Sequence, residues 1–350
     1  MLTLATIGKT VREIYGQPAT WTQCLQVMRS FDIDALVKNR RPEQVPWVFV
    51  GCGTSYYLAQ AAAASFTLLT GSLARALPAS EILLYPELSL PLVDSVFPVL
   101  ISRSGHTSEI LAVAEMLTRK GIEFLALTCD GNELATTTSR ILQLPVKEES
   151  TVMTGSFTSM LLAMQFLAAK LAGDDKFLAE LDQLSSTVEP LFAKYGKQLE
   201  EFAAHSFEDV AVLGQGALYP IASEVALKVM ESSSSYAQFF HTLEFRHGPK
   251  SIIHDRTLVI GLISDTSAAQ EVKVLREMQE LGASTIAIVN HASPEMRQAA
   301  DLLVELDSPL STLALLAAYV VWGQLFGSYV GLAKGLNPDE PLNLTRVVTF

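Results

Sequence analysis

From about residue 45 onward, short unbroken apolar runs alternate with longer stretches of helical period. The run 47–50 leads through Gly51-Cys52-Gly53-Thr54-Ser55 into an apolar, alanine-rich helix that ends near Gly71. A second strand falls near 75–77. Residues 97–101 feed the turn Ser102-Arg103-Ser104-Gly105-His106-Thr107, and a helix is predicted over 110–120. Residues 124–129 and 141–144 read as further strands. Strands that are apolar throughout are buried on both faces, which predicts a parallel sheet covered by helices. The first forty residues are helical and amphipathic with a break at Pro18, and 160–203 reads as a helical connector.

The pattern then recurs. The strand 209–213 leads into Gly214-Gln215-Gly216-Ala217 and a helix over 219–230, and 258–263 leads into Ser264-Asp265-Thr266-Ser267 and a helix over 269–281. The strand 284–289 is followed by Asn290 as 124–129 is followed by Asp130. GCGTS thus aligns with GQGAL, and ISRSGHTSE with ISDTSAAQE, at an offset of about 160 residues, an internal duplication of an open α/β unit.

Three hydroxyls, a glycine and a cation at 102–107 sit where a strand becomes a helix. Backbone N–H groups and the helix dipole favour an anion there, and the hydroxyls can donate to it. A plain helix cap needs one hydroxyl; this turn offers several. The second copy lacks the cluster and carries Asp265 where the first has Arg103, so only the first copy is expected to seat a phosphate. Ligands of open parallel sheets bind at the carboxyl ends of strands, where both turns lie. A dinucleotide fingerprint would want glycine at positions 56 and 219, and both are tyrosine.

Composition narrows the partners. The 350 residues are 49% hydrophobic and 18% charged, with a net charge of −12 and no run of Lys or Arg. That balance argues against nucleic acid and anionic membranes. Cys24, Cys52 and Cys129 are scattered, as in a reduced, cytoplasmic protein without a structural metal. Lys9 and Arg12 interrupt any early apolar core of a signal peptide. The apolar stretch 312–333 is long enough to cross a bilayer, but with an α/β body before it a buried core helix is expected.

The ordered set of motifs resembles the sugar isomerase (SIS) family, in particular its double-SIS members: the isomerase half of glutamine–fructose-6-phosphate aminotransferase, fructosamine-6-phosphate deglycases, and tagatose/galactosamine-6-phosphate isomerase-deaminases. The residues that carry the resemblance are Glu13-Ile14-Tyr15-Gly16-Gln17-Pro18, GCGTS, SRSGHTSE, Thr154-Gly155-Ser156-Phe157-Thr158, Glu224-Val225-Ala226-Leu227-Lys228 with Glu231, Arg246-His247-Gly248-Pro249, Asn337-Pro338-Asp339 and Asn343-Leu344. The resemblance implies two tandem SIS domains, each a parallel five-stranded sheet flanked by helices, doubly wound and flavodoxin-like. It divides the chain into a helical arm at 1–40, a phosphate-binding domain at 41–190, a catalytic domain at 205–335 and a tail over the active site at 336–350.

The resemblance further implies that Gly53, Thr54, Ser55, Ser102, Ser104 and Thr107 hold a sugar phosphate. Arg103 stands where the aminotransferase has glutamine, which would place it against the phosphate, and Thr154 lies in a loop near the sugar. Glu231 aligns with the base that shuttles a proton between C1 and C2, Lys228 with a charged helper, and His247 with a ring-opening histidine lent by a neighbouring subunit of a homodimer. Arg346, a further candidate for binding the substrate, occupies the position of the aminotransferase's Schiff-base lysine. A guanidinium stays protonated and cannot form an imine, so covalent capture there is disfavoured. The sequence opens at Met1-Leu2, where the aminotransferase has a glutaminase domain before this point, so no ammonia from glutamine is expected.

Such chemistry needs ring opening, a carboxylate base and an enediol(amine) intermediate, with no metal or redox cofactor. A base works best when burial lifts its pKa, as expected for Glu231 after its apolar helix, and histidine suits ring opening. The expected activity is aldose–ketose isomerisation or deamination of a hexose- or hexosamine-6-phosphate. The alternatives are a fructosamine-6-phosphate deglycase and a non-catalytic sugar-phosphate-binding regulator.

Overall fold

The structure is a computed structural model that describes residues 8–89, 95–130 and 132–348. The first seven residues of the expected arm and the last two of the expected tail lie outside that set. The chain divides into two compact units: one comprises 19–148, 155–182 and 345–350, the other 1–18, 149–154 and 183–344.

In the first unit, α1 (Lys9–Tyr15) belongs elsewhere, while most of α2 (Gln17–Ser30) and all of α3 (Ile33–Val37) precede β1 (Trp47–Gly51), α4 (Thr54–Thr70) and β2 (Ala74–Pro78). Next come α5 (Ala79–Leu84), α6 (Pro86–Ser89), β3 (Phe97–Ile101), α7 (Ser108–Arg119), β4 (Leu125–Thr128), α8 (Asn132–Ala135), β5 (Ile141–Gln143) and α9 (Gly155–Ala172). The sheet is parallel, in the order β2-β1-β3-β4-β5. β1 and β3 are buried at every position, which is why neither alternates in sequence. Alternate residues serve opposite faces. Val48, Val50 and Leu100 pack with Ile110, Val113 and Leu117 of α7, whereas Trp47 stacks on Phe66 of α4.

The consequence is functional. β1 and β3 are neighbours whose following helices leave toward opposite faces, so the turns 51–55 and 101–107 flank the topological switch point of the sheet, where open α/β sheets bind ligands.

The other unit contains α10 (Asp175–Ala203) from Gln183 onward, then β6 (Asp209–Gly214), α11 (Tyr219–Ser233), β7 (Tyr236–His241), β8 (Thr257–Ile263), α12 (Ala268–Glu280), β9 (Ser284–Val289), α13 (Pro294–Gln298), β10 (Leu302–Glu305) and α14 (Leu316–Ala333). Its sheet runs β10-β9-β8-β6-β7, the same 2-1-3-4-5 arrangement. The expected duplication and the pair of five-stranded parallel sheets are both present. The match extends to single atoms: a Cβ on Gly51 would sit 2.2 Å from the Ser55 carbonyl oxygen, and one on Gly214 2.4 Å from that of Leu218. Each strand therefore enters its turn at a point where only glycine fits.

One sequence reading changes in detail, and the expected core helix at 312–333 is present. The connector is two helices: α9 is a buried core helix, with the Trp21 indole donating to Thr158 Oγ1 at 2.8 Å, and only α10 is amphipathic. α14, the bilayer-length stretch, is packed inside its unit. Its buried Gln324 accepts from Gln17 Nε2 at 2.7 Å and donates to the Thr154 carbonyl at 3.2 Å. Gly323, Gly327 and Gly331 lie on one α14 face against α11; a Cβ on Gly331 would meet the Ser232 carbonyl oxygen at 2.1 Å. On an open helix surface Gly→Ala stabilises by about 1 kcal/mol. Here overpacking reverses the sign: Gly331→Ala is expected to lower unfolding stability by ~1–3 kcal/mol, read as a lower urea midpoint at unchanged slope. A raised midpoint would contradict the close α11–α14 contact.

Candidate active-site elements

The turn after β3 brings its hydroxyls together. Ser102, 2% exposed, lies with its Oγ 3.1 Å from Thr107 Oγ1 and accepts from the Gly105 N–H at 3.1 Å. Ser104 Oγ accepts from the His106 N–H at 3.2 Å. Thr107 is the N-cap of α7 but makes no side-chain cap bond, so its hydroxyl is turned to Ser102 instead. In the turn after β1, Gly53 is the left-handed N-cap of α4, followed by buried Thr54 and Ser55. The Cys52 thiol within that turn is pushed up to about 12 by burial, with Glu109 adding to the effect, so it remains protonated at neutral pH.

Arg103 differs from its neighbours. Its guanidinium, 7% exposed, meets buried Glu148 at 3.3 Å and donates to the carbonyl of Arg346 at 3.0 Å. Glu148 also accepts from Ser156 N–H at 2.9 Å and Ser156 Oγ at 2.6 Å. These groups line a cavity of 230 Å³ together with Asp130 and Lys147. Glu148 had no signal in the sequence: it sits in an acidic, polar run that reads as a solvated loop. Arg346 contributes its backbone to this cluster while its side chain is exposed.

The second copy of the turn is filled from within. Glu271, 1% exposed, aligns with Glu109 and accepts from Thr242 Oγ1 at 2.9 Å and from Ser267 Oγ, which in turn lies 2.7 Å from Ser264 Oγ. The hydroxyls that would greet a phosphate already hold a carboxylate. Asp265 faces Asn290 and His291. The hydroxyls of Ser264, Ser267 and Thr242 are thus engaged within the unit itself.

On α11 two of the three acid–base candidates, Lys228 and Glu231, form one cluster with Glu224. Lys228, 0% exposed, bridges Glu224 at 3.4 Å and Glu231. Burial alone would lower its pKa, but the two carboxylates outweigh burial and hold the ammonium above its ordinary range. Glu224 is fully buried, whereas the Glu231 side chain keeps 18% exposure. Glu231 is therefore ion-paired and partly exposed, where its apolar helix suggests a fully buried position. His247 is exposed on a 3₁₀ turn. Arg246 and Lys250 on either side of it both pair with Glu277 of α12, at 2.8 and 2.6 Å, and the hydrogen bond from Lys250 holds that carboxyl below the usual range. The Thr154 side chain is buried. Among the candidates, the structure joins Ser102 with Thr107, Arg103 with the Arg346 backbone, and Lys228 with Glu231, and it places His247 on a turn of its own.

Glu271 also makes a pH prediction. Burial raises its pKa, and the hydroxyl bonds only partly offset this. A raised carboxyl binds more protons folded than unfolded, so its contribution to stability is full below the unfolded value of about 4.3 and is lost as pH rises through the folded value. Relative to Glu271→Gln, the wild-type melting temperature is expected to fall as pH rises from about 4 toward neutrality. A difference that stays constant with pH would refute this.

Comparison with known proteins agrees with this architecture. The SIS domain model matches residues 47–170 and 206–326. A glutamine–fructose-6-phosphate aminotransferase [isomerizing] of Clostridium tetani is 27% identical over 359 residues, covering 97% of this chain and 58% of the relative. The chain thus spans little more than half the length of that relative. A glucosamine-6-phosphate deaminase structure from Thermotoga maritima superposes with a TM-score of 0.80 at 26% identity, covering 97% of this chain and 99% of that one. The tagatose-6-phosphate ketose/aldose isomerase of Escherichia coli gives a TM-score of 0.85 at 22% identity, covering 98% and 99%, and shares the fold. With the family model matching both sheets and their duplicated turns, the chain belongs to the SIS domain family.

Proposed function

We propose that this protein is a phosphosugar enzyme that moves a proton between C1 and C2 of a hexose-6-phosphate or hexosamine-6-phosphate, isomerising it or releasing ammonia. The observation that carries the reading is the α11 cluster: a fully buried ammonium between two carboxylates, of which Glu231 reaches the surface. Such a group is expensive to bury and a poor choice for stability alone; it suits a carboxylate that must gain and lose a proton beside a fixed positive charge.

Ser102, Ser104, Thr107 and the Gly53-Thr54-Ser55 turn bind the phosphate, using the first-turn N–H groups of α4 and α7. That binding holds the sugar equally in the ground and transition states. His247 opens the ring, Glu231 takes the proton α to the carbonyl and returns it to the neighbouring carbon, and Lys228 keeps Glu231 oriented. When the substrate carries an amino group at C2, the same transfer gives an imine that water hydrolyses. We assign the active species to a homodimer in the cytoplasm, with His247 supplied to the partner's site. This chemistry uses no metal or redox cofactor.

Glu231→Gln is expected to lower turnover by ~10²–10⁴-fold while leaving the affinity for the sugar phosphate within a few-fold of wild type. A non-catalytic sensor would show no turnover to lose. Ser102→Ala combined with Thr107→Val should instead raise KM about tenfold or more at nearly unchanged kcat, because the phosphate contact serves ground and transition states alike. Loss of kcat alone in the double variant would remove the phosphate assignment.

A further inference from the structure

We propose that Arg103 is a positioning residue that latches the segment 345–348 against the phosphate turn, and that it does not bind the phosphate itself. The inference rests on the phosphosugar reading for the identity of the turn's ligand. It concerns a residue placed between the hydroxyls of Ser102 and Ser104 in sequence, yet bonded in the opposite sense. Arg103 is 7% exposed, and its two terminal nitrogens are divided between partners: Nη1 to Glu148 and Nη2 to the Arg346 carbonyl.

Glu148 is itself held by both the backbone and the hydroxyl of Ser156, at the start of α9. The guanidinium therefore joins three pieces of chain: the β3–α7 turn, the N-terminal end of α9 and the segment 345–348. A second contact ties that segment to the same turn, because the Val348 carbonyl accepts from the Ser108 N–H at 3.5 Å. The segment closes locally through Thr345 Oγ1, which donates to the Val347 carbonyl at 3.0 Å. A lysine has one terminal nitrogen where arginine has two, so it does not reproduce the division of Nη1 and Nη2 between Glu148 and the Arg346 carbonyl.

The carbonyl that Arg103 holds belongs to an arginine with an exposed side chain. The peptide bond 346–347 is therefore a trypsin site whose scissile carbonyl is engaged. Cleavage there requires the latch to open, so its rate reports the open population. In Arg103→Gln, cleavage at 346–347, followed by intact mass, is expected to accelerate about tenfold, the scale of one lost charge-assisted hydrogen bond. Cleavage at other sites should be unmoved, and affinity for inorganic phosphate should stay within about threefold of wild type. Arg103→Lys, which keeps the charge beside Glu148, guards against a folding defect and should free the bond similarly. Glu148→Gln should do the same, without adding to Arg103→Gln.

Unchanged cleavage in both Arg103 variants overturns the proposal. If phosphate affinity also falls tenfold or more, Arg103 is a phosphate ligand instead. Should the wild-type protein bind no inorganic phosphate and no hexose phosphate, the phosphosugar reading fails, while the cleavage rates still decide the latch.

Discussion

An ammonium with no exposure cannot stand alone in a protein interior, and the packing around Lys228 follows from that requirement. Removing a charge from water costs several kcal/mol unless opposite charge lies within contact. α11 supplies it one turn before and one turn after, through Glu224 and Glu231. The seal is made by α14, whose glycines let its backbone approach within a side chain's width of α11.

The two copies of the α/β unit show how one backbone solution diverges. Both enter the first turn through a glycine that nothing larger could replace, and both order their strands alike. They part at the second turn. In one copy the serine and threonine hydroxyls face each other at hydrogen-bond distance, a pair that an incoming anion can recruit. In the other a buried carboxylate from the following helix has taken that role. There Glu271 accepts from Thr242 and Ser267, so those donors are satisfied from within the unit.

Much of this was legible in the sequence. Central parallel strands announce themselves as unbroken apolar runs, so β1, β3, β6, β8 and β9 could be read directly. β7 and β10 could not. β7 is an edge strand with partly exposed aromatic and polar residues, and β10 is an edge strand that alternates buried and half-buried positions. The hydroxyl turns were legible because they break the apolar pattern at its carboxyl ends. Glu224, Lys228 and Glu231 stand four and three residues apart, the spacing of one helical face. Glu148, Glu271 and Glu277 were invisible, because a carboxylate that closes a tertiary contact looks in sequence like one that faces water. The orientation of Arg103 was hidden for the same reason: its partners are 45 and 243 residues away.

The central claim is proton transfer at a sugar carbon. It is tested most directly by proton NMR in D₂O, with fructose-6-phosphate, tagatose-6-phosphate, glucosamine-6-phosphate, galactosamine-6-phosphate and a fructosamine-6-phosphate offered separately. The account predicts enzyme-dependent deuterium incorporation at C1 or C2 of at least one of them, with ammonia or free amine release marking deamination or deglycation. Binding of one of these sugars without exchange into any would contradict it and leave a sugar-phosphate sensor.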